Sequence, residues 1–421
     1  MLYSLALTII LAAFAYLSWR NFRAALILFC GLLPTYLIRF SIGPYPSTML
    51  ETLTIILFII WLSRHSYLVF WQDKNFLSTN AKRWQLAFLF LLASAFFAAA
   101  HAPNVFAALG ILKAYYLEPL IIGAITLSTF KKPADWAAAF FSLSVSAVLI
   151  SIFGIFQYFT ALGLPTAWLA ERRITSVFDF PNAVGLFLAP ILSMLIVVLA
   201  THKQLSSKLK LSLISSTILI LIAIILAKTE AALVAVPIAL LITLLIGKAH
   251  RTTKLVSVTL IILALIGALS LPSIKSKILL TDLSGTARTQ MWHETLTMLR
   301  DHPIFGAGLS GFPTVISPYH DASYFEIFQY PHNIFLNIWV ELGLPGLLAF
   351  FIISLLTLKT LWQHRQNPKA LILLAAFLTI VIHGLVDVPF FKNDLAMLTA
   401  LLLAATISLN SQQSHTLPLA S

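Results

Sequence analysis

The chain has 421 residues, of which 59% are hydrophobic and only 10% charged, where an average soluble domain is about a quarter charged. That balance excludes a soluble globular protein and leaves an integral membrane protein. The formal net charge of +12 does not imply a nucleic-acid partner, because the basic residues sit in short stretches between apolar runs.

A spanning helix takes about 20 apolar residues. Apolar runs fall near 2–18, 24–38, 48–63, 84–101, 105–129, 136–159, 183–200, 211–227, 230–247, 255–272, 333–361, 369–388 and 393–410. They lack the alternation of a membrane barrel, and an open sheet cannot cross lipid. The fold class is therefore all-α, a polytopic bundle of about 12–13 transmembrane helices. The first run has no basic stretch before it and reads as a retained span. Cys30 is the single cysteine, so no internal disulfide forms. The basic loops around 20–23, 64–83, 131–132, 203–210, 248–254 and 359–369 share one side, which the positive-inside rule makes the cytoplasm. The C-terminus then lies inside, and the side of the N-terminus stays open between twelve and thirteen spans. Residues 1–421 read as a single transmembrane domain with a smaller outer loop at 160–182, a large outer loop at 273–332 and a short polar tail at 411–421.

The outer loops hold the residues that chemistry would need. AERRITSVFDFPNAVG contains Arg172 and Arg173, and the large loop contains Arg288. Arginine grips a phosphate bidentately through its planar fork. The plainer alternative pairs these arginines with Glu171, Asp179 or Asp282, or with lipid headgroups, and is favoured for Arg172. TARTQMWHETLTMLRDHP predicts an amphipathic helix with Arg288 and Trp292 on one face, ended by Asp301-His302-Pro303. In YPHNIFLNIWVELGLPG, His332 stands at the end of the polar loop and opens an apolar helix. A lone histidine there is usually only part of a helix start, but a neutral imidazole at a membrane boundary can also take a proton from a hydroxyl.

Three charged pairs fall at membrane depth: Lys113 with Glu118, Lys228 with Glu230, and His383 with Asp387 one turn on. Internal pairing is the reading for Lys228 and Glu230. For the other two pairs, bundle pairing and substrate binding weigh equally. The outer loops contain no Asp-x-Asp, no His-Glu-x-x-His and no clustered Cys and His, and the chain has no Walker loop. No metal site and no cofactor are expected. A group transfer would need an activated substrate whose leaving phosphate the arginines stabilise.

His332-Asn333, nine residues, then Gly343-Leu344-Pro345-Gly346 resembles the signature of the O-antigen ligase/polymerase-like membrane glycosyltransferases. Arg288, Trp292, Pro303, Gly306, Gly308 and Phe312 resemble the run that precedes it in that family, and Arg173, Phe178, Pro181 and Asn182 its element in the other outer loop. Where many members have Ser-Arg-Gly, this chain has Thr229-Glu230-Ala231, so a basic residue is missing and Lys228 is the nearest substitute.

The resemblance implies a glycan donor carried on undecaprenyl diphosphate and an acceptor hydroxyl on a lipid, a glycan or a protein. Transfer would proceed with inversion and without metal, on the outer face of the bacterial inner membrane. It implies that Arg173 and Arg288 clamp the diphosphate, that His332 orients or deprotonates the acceptor, and that Asn333 and Asn182 support it. Trp292, Arg172, Lys113, Glu118 and Asp387 complete the candidate substrate-binding set. Ligase, polymerase and protein O-oligosaccharyltransferase stay open as alternatives. A transporter or flippase of lipid-linked sugars predicts internal repeats and charges along a path, whereas here the polar residues crowd the loops. A scaffold that binds carrier lipid without chemistry predicts no loss on removing His332.

Overall fold

The structure is a computed structural model that describes residues 2–64, 79–202, 204–247, 279–321 and 326–412, with isolated positions between 255 and 276. The predicted run 255–272, the basic stretch 248–254, the polar tail and residues 322–325 of the large loop lie outside the described residues, apart from those isolated positions and Ser411 and Gln412. Every other predicted apolar run contains a helix: α1 (Leu2–Arg20), α2 (Phe22–Gly31), α3 (Met49–Ser63), α4 (Thr79–Ala100), α5 (Val105–Thr129), α6 (Pro133–Thr160), α7 (Pro181–Thr201), α8 (Ser207–Leu226), α9 (Glu230–Ile246), then α11 (Ile334–Gln363), α12 (Pro368–His383) and α13 (Asn393–Gln412), although the run 24–38 passes into a 3-10 turn over Leu33–Leu37 and the run 369–388 leaves its helix at His383. The loop helix α10 (Leu283–Asp301) lies where the amphipathic pattern puts it. Among the described residues, seven helices are long and apolar enough to cross a membrane, and five shorter apolar helices accompany them. The chain is an all-α polytopic membrane protein.

Local chemistry sets the helix starts. Asn21, Thr48, Asn104, Asp282, Asn333 and Asn367 each cap a first turn by accepting backbone N–H groups that the helix cannot satisfy itself. Pro133, Pro181 and Pro368 occupy first helical positions, where a missing N–H costs nothing. Within α5, Pro119 cannot supply the N–H that Tyr115 would accept, and the turn before it opens to π geometry over Leu112–Leu117. One element was not expected: a two-stranded hairpin, β1 (Arg39–Ile42) with β2 (Tyr45–Thr48), turning at Gly43 with φ +60°.

The expected single span 333–361 is two helices. Gly343 has φ +69°, and a Cβ there would lie 2.1 Å from the Ile304 carbonyl oxygen. The chain folds back at this point. Phe335 stacks on Phe351 with ring centroids 5.6 Å apart, although Gly343 lies midway between them and a straight helix would separate them by about 24 Å. The segment 334–342 thus stays with the loops, and 344–363 crosses the bundle.

α7 is buried on nearly every side, against α8, α9 and α12. Ser193 and Thr379 share a hydrogen bond of 2.7 Å across α7 and α12. A second core joins α4, the first half of α5, α11 and the α12–α13 loop. The α12–α13 loop, residues 384–392, therefore lies where the two cores meet.

Candidate active site

Four consecutive residues of that loop each hold a different part of the site. The Gly384 carbonyl accepts the Ile334 N–H at 2.7 Å, and the Leu385 carbonyl accepts from Asn333 Nδ2 at 2.9 Å. The Val386 carbonyl accepts Arg288 Nε–H at 3.1 Å. Asp387 takes two side chains: Oδ1 lies 3.2 Å from His332 Nδ1, and Oδ2 accepts from Asn182 Nδ2 at 3.2 Å. This strap joins α7, α10 and the start of α11, three elements far apart in sequence.

Asp387 is 4% exposed. Burial alone would raise its pKa, but the hydrogen bond and charge of His332, the nearby His383 and the Val388 N–H hold it well below the usual carboxylate range. An anionic Asp387 fixes the proton of His332 on Nδ1. Nε2 then carries a lone pair on a side chain that is 26% exposed, and it has no hydrogen-bond partner among the described residues. Phe328 meets the ring edge-on at 5.7 Å, and the carbonyl of the preceding residue, Pro331, accepts from Trp292 Nε1 at 2.7 Å. His332 sits at φ +47°, an uncommon conformation for a non-glycine residue. Asn333 completes the geometry by capping α11, its Oδ1 accepting from Phe335 and Leu336.

Both arginines are held by neutral oxygens. Arg173 donates from Nε to the Ala227 carbonyl at 2.8 Å and from Nη2 to Asn182 Oδ1 at 2.7 Å and to the Lys228 carbonyl at 3.3 Å, and its guanidinium lies 5.2 Å from the Trp168 ring. Arg288 donates from Nε to Val386 and from Nη1 to Ser284 Oγ at 2.9 Å. Among the described residues neither guanidinium forms an ion pair. Glu171 reaches Lys228 Nζ at 3.5 Å instead, and Asp282 caps α10. Burial lowers the Arg173 pKa, the nearby Arg288 charge adds to this, and Glu230 and Glu171 oppose it. Two cations brought together without carboxylate partners make a site for an anion.

The structure thus joins Arg173, Asn182, Asp387, His332, Asn333, Arg288 and Trp292 in one group. Arg172 is next to it, exposed and at φ +47°, with its backbone N–H on Leu169. Lys113 and Glu118 are not part of it. Lys113 Nζ lies 2.5 Å from Glu51 Oε1, and Glu118 Oε2 is buried without a hydrogen-bond partner among the described residues, so the expected Lys113–Glu118 pair is replaced by a Lys113–Glu51 pair. The expected Lys228–Glu230 pair is likewise replaced by Lys228–Glu171. At Thr229, a Cβ on Gly185 would approach the threonine methyl to 2.3 Å. This close approach of α7 brings the carbonyls of Ala227 and Lys228 to Arg173.

Sequence reasoning missed the strap carbonyls, Ser284 and Gln157. Gln157 is fully buried and anchors the Arg173 loop, its Oε1 accepting from the N–H groups of Thr175 and Ser176 at 2.8 and 2.9 Å. A glutamine late in an apolar run was the one available signal for it.

Residues 215–351 match the model of the O-antigen ligase family, a stretch that contains Arg288, Trp292, His332 and Asn333 and leaves Arg173, Asn182 and Asp387 outside it. No curated protein matches the chain. The family is known for glycan transfer of the O-antigen ligase type. By its helical architecture the chain is a multi-pass membrane protein, and over residues 215–351 it is similar to the O-antigen ligase family.

Proposed function

We propose that the protein transfers a glycan from undecaprenyl diphosphate to an acceptor hydroxyl, as an O-antigen ligase or polymerase, on the outer face of the bacterial inner membrane. The observation that carries this reading is the His332–Asp387 pair, set on the same four-residue strap as Arg288 and linked through Asn182 to Arg173. The acceptor oxygen forms a bond to the anomeric carbon from the face opposite the diphosphate. The bond from that carbon to the diphosphate oxygen breaks, and its electron pair leaves with the diphosphate. The acceptor proton goes to His332 Nε2, Asp387 stabilises the resulting imidazolium, and the two guanidiniums take the developing charge on the leaving group. Attack from the opposite face inverts the anomeric centre. The outward orientation is supported by the basic loops at the other end of the bundle. Lys228 stands beside Arg173 as a further cation for the diphosphate.

The test uses purified protein in nanodiscs with a radiolabelled undecaprenyl-diphosphate oligosaccharide, in the presence of EDTA, with acceptors offered singly. Label moving to a lipid core or to a longer carrier-linked glycan supports the reading and names the subclass. Label moving to a peptide makes the protein a protein O-oligosaccharyltransferase. Equal transfer by His332→Ala removes the histidine from the mechanism.

A further inference from the structure

His332 is fixed from two directions. Asp387 meets the ring from the strap, whereas the peptide bond before the histidine is held from α10, through the Pro331 carbonyl on Trp292. The same helix grips the segment leading to His332 at a second place, which the transfer chemistry does not use. Glu294 is buried, and three groups converge on its carboxylate. Oε1 accepts from Gln290 Nε2 at 3.1 Å and from the Asp321 N–H at 3.2 Å, and Oε2 lies 3.0 Å from His320 Nδ1. The His320 side chain is buried as well. A carboxylate only accepts, so the imidazole presents its Nδ1–H to it.

The two grips fall on opposite edges of one helix. An α-helix turns by about 100° per residue, which sets Glu294 and Trp292 about 160° apart around α10. Met291, Thr295 and Met298 lie between them on the buried side. Ile327 and Phe328 pack against the apolar cluster that Met291 and Met298 belong to, and Phe328 goes on to meet the His332 ring edge-on. Residues 320–321 and 326–332 are therefore gripped at both edges of α10 and supported between them. A grip at Trp292 alone would leave the segment free to pivot about the Pro331 carbonyl, and the grip at Glu294 removes that freedom. It does so for a histidine whose backbone sits at φ +47°, a conformation that persists only where its surroundings over-determine it.

We propose that Glu294 is a positioning residue of the transfer site: by holding His320 and Asp321 it fixes the segment that presents the His332 imidazole to the acceptor. The proposal rests on the transfer reading above and adds to it a residue that touches neither donor nor acceptor. Arg288 lies on the same helix, six positions before Glu294. One rigid element thus sets the separation between the cation that faces the donor and the base that faces the acceptor.

The test measures transfer by the full chain in nanodiscs, with kcat and donor KM separated. Glu294→Ala is expected to lower kcat by about tenfold or more, the scale of a small misplacement of a catalytic group. Donor KM is expected to stay within about twofold, because Arg173 and Arg288 keep their partners. Glu294→Gln is expected to retain kcat within about threefold, because its amide oxygen can accept from Gln290 and Asp321 while its Nε2–H donates to His320. Thr297→Ala removes only a hydroxyl contact to the His293 carbonyl within α10 and is expected to change neither constant. A second readout needs no turnover. Acylation of His332 by diethyl pyrocarbonate, followed on its own peptide by mass spectrometry and normalised to the exposed His302, is expected to run at least about threefold faster in Glu294→Ala.

An unchanged kcat in Glu294→Ala, a rise in donor KM as large as the fall in kcat, or an unchanged acylation rate overturns the proposal. A Glu294→Gln variant as impaired as Glu294→Ala does so too, since the hydrogen bonds would then not be what matters. If Glu294→Ala does not fold, His320→Ala, which keeps the carboxylate and its bonds to Gln290 and Asp321, carries the same expectations. Faster acylation in Glu294→Ala, with no transfer to any acceptor even by the unsubstituted protein, leaves the grip on His332 standing and sinks the transfer reading instead.

Discussion

His332 and Asp387 meet through Nδ1 and Oδ1 at 3.2 Å across 55 positions of sequence, and Asn182 occupies the other oxygen of the same carboxylate. The aspartate thereby sets both the tautomer of the histidine and the position of the amide that reaches Arg173. His332→Ala is expected to lower kcat by about 100-fold or more at normal expression. Asp387→Asn is expected to lower it by about as much while the fold persists, because an amide can pair with either imidazole tautomer. Transfer assays on both variants, beside circular dichroism, check this. A fully active Asp387→Asn would detach the carboxylate from the chemistry.

Arg288 uses Nε and Nη1 on Val386 and Ser284, a fork that lysine cannot reproduce. Arg288→Ala is expected to lose about 100-fold in kcat, the scale of removing one preorganised charge-stabilising donor. Arg288→Lys should recover little of it. The assay is turnover at saturating donor with expression normalised, and near-normal turnover by the lysine variant would argue against a guanidinium clamp.

The depressed pKa of Asp387 has a consequence for stability. Its folded value lies below the unfolded carboxylate value of about 3.9, so the stabilising contribution is complete above that pH and declines as the pH falls below it. Asp387→Asn should therefore unfold at a lower temperature than the unsubstituted protein at pH 7, with the gap narrowing below about pH 4. Thermal unfolding in detergent across that range is the measurement, and a gap independent of pH would contradict it.

Gly343 separates a helix that belongs to the site from one that belongs to the bundle. Alanine there meets the Ile304 carbonyl oxygen at 2.1 Å and takes a positive-φ extended backbone, essentially confined to glycine, that costs about 1–3 kcal/mol by itself. Gly343→Ala should lower Tm and, by displacing 334–342, lower transfer as well. Nanodisc unfolding curves that overlay those of the unsubstituted protein would remove the need for the fold-back.

What sequence could and could not reveal divides along physical lines. The helix carrying Arg288 and Trp292 was legible because an amphipathic period and an Asp-His-Pro stop are local signals, and it ends at Asp301 as read. His332-Asn333 with Gly343 was legible as a spaced motif, yet the motif does not say that the chain reverses at the glycine. Lys113 was matched to the nearest acid in sequence, whereas its partner Glu51 lies on a separate helix 62 positions away. Long-range pairing of that kind leaves no periodic trace. The strap was invisible for a simpler reason: at three of its four positions the contact is a carbonyl oxygen, which every residue has.

That last feature bears on how the protein can change over time. Leu385 and Val386 contribute main-chain atoms, and the Leu385 side chain is 46% exposed, so many residues can occupy these places without loss. Gly384 is confined by Ile334, whose Cγ2 would meet an added Cβ at 2.9 Å. A mutational scan by side chain would therefore score the middle of the strap as dispensable. Replacing the peptide bond that follows Val386 with an ester, which weakens that carbonyl as an acceptor and leaves its side chain alone, is the change that would expose how much the site depends on it.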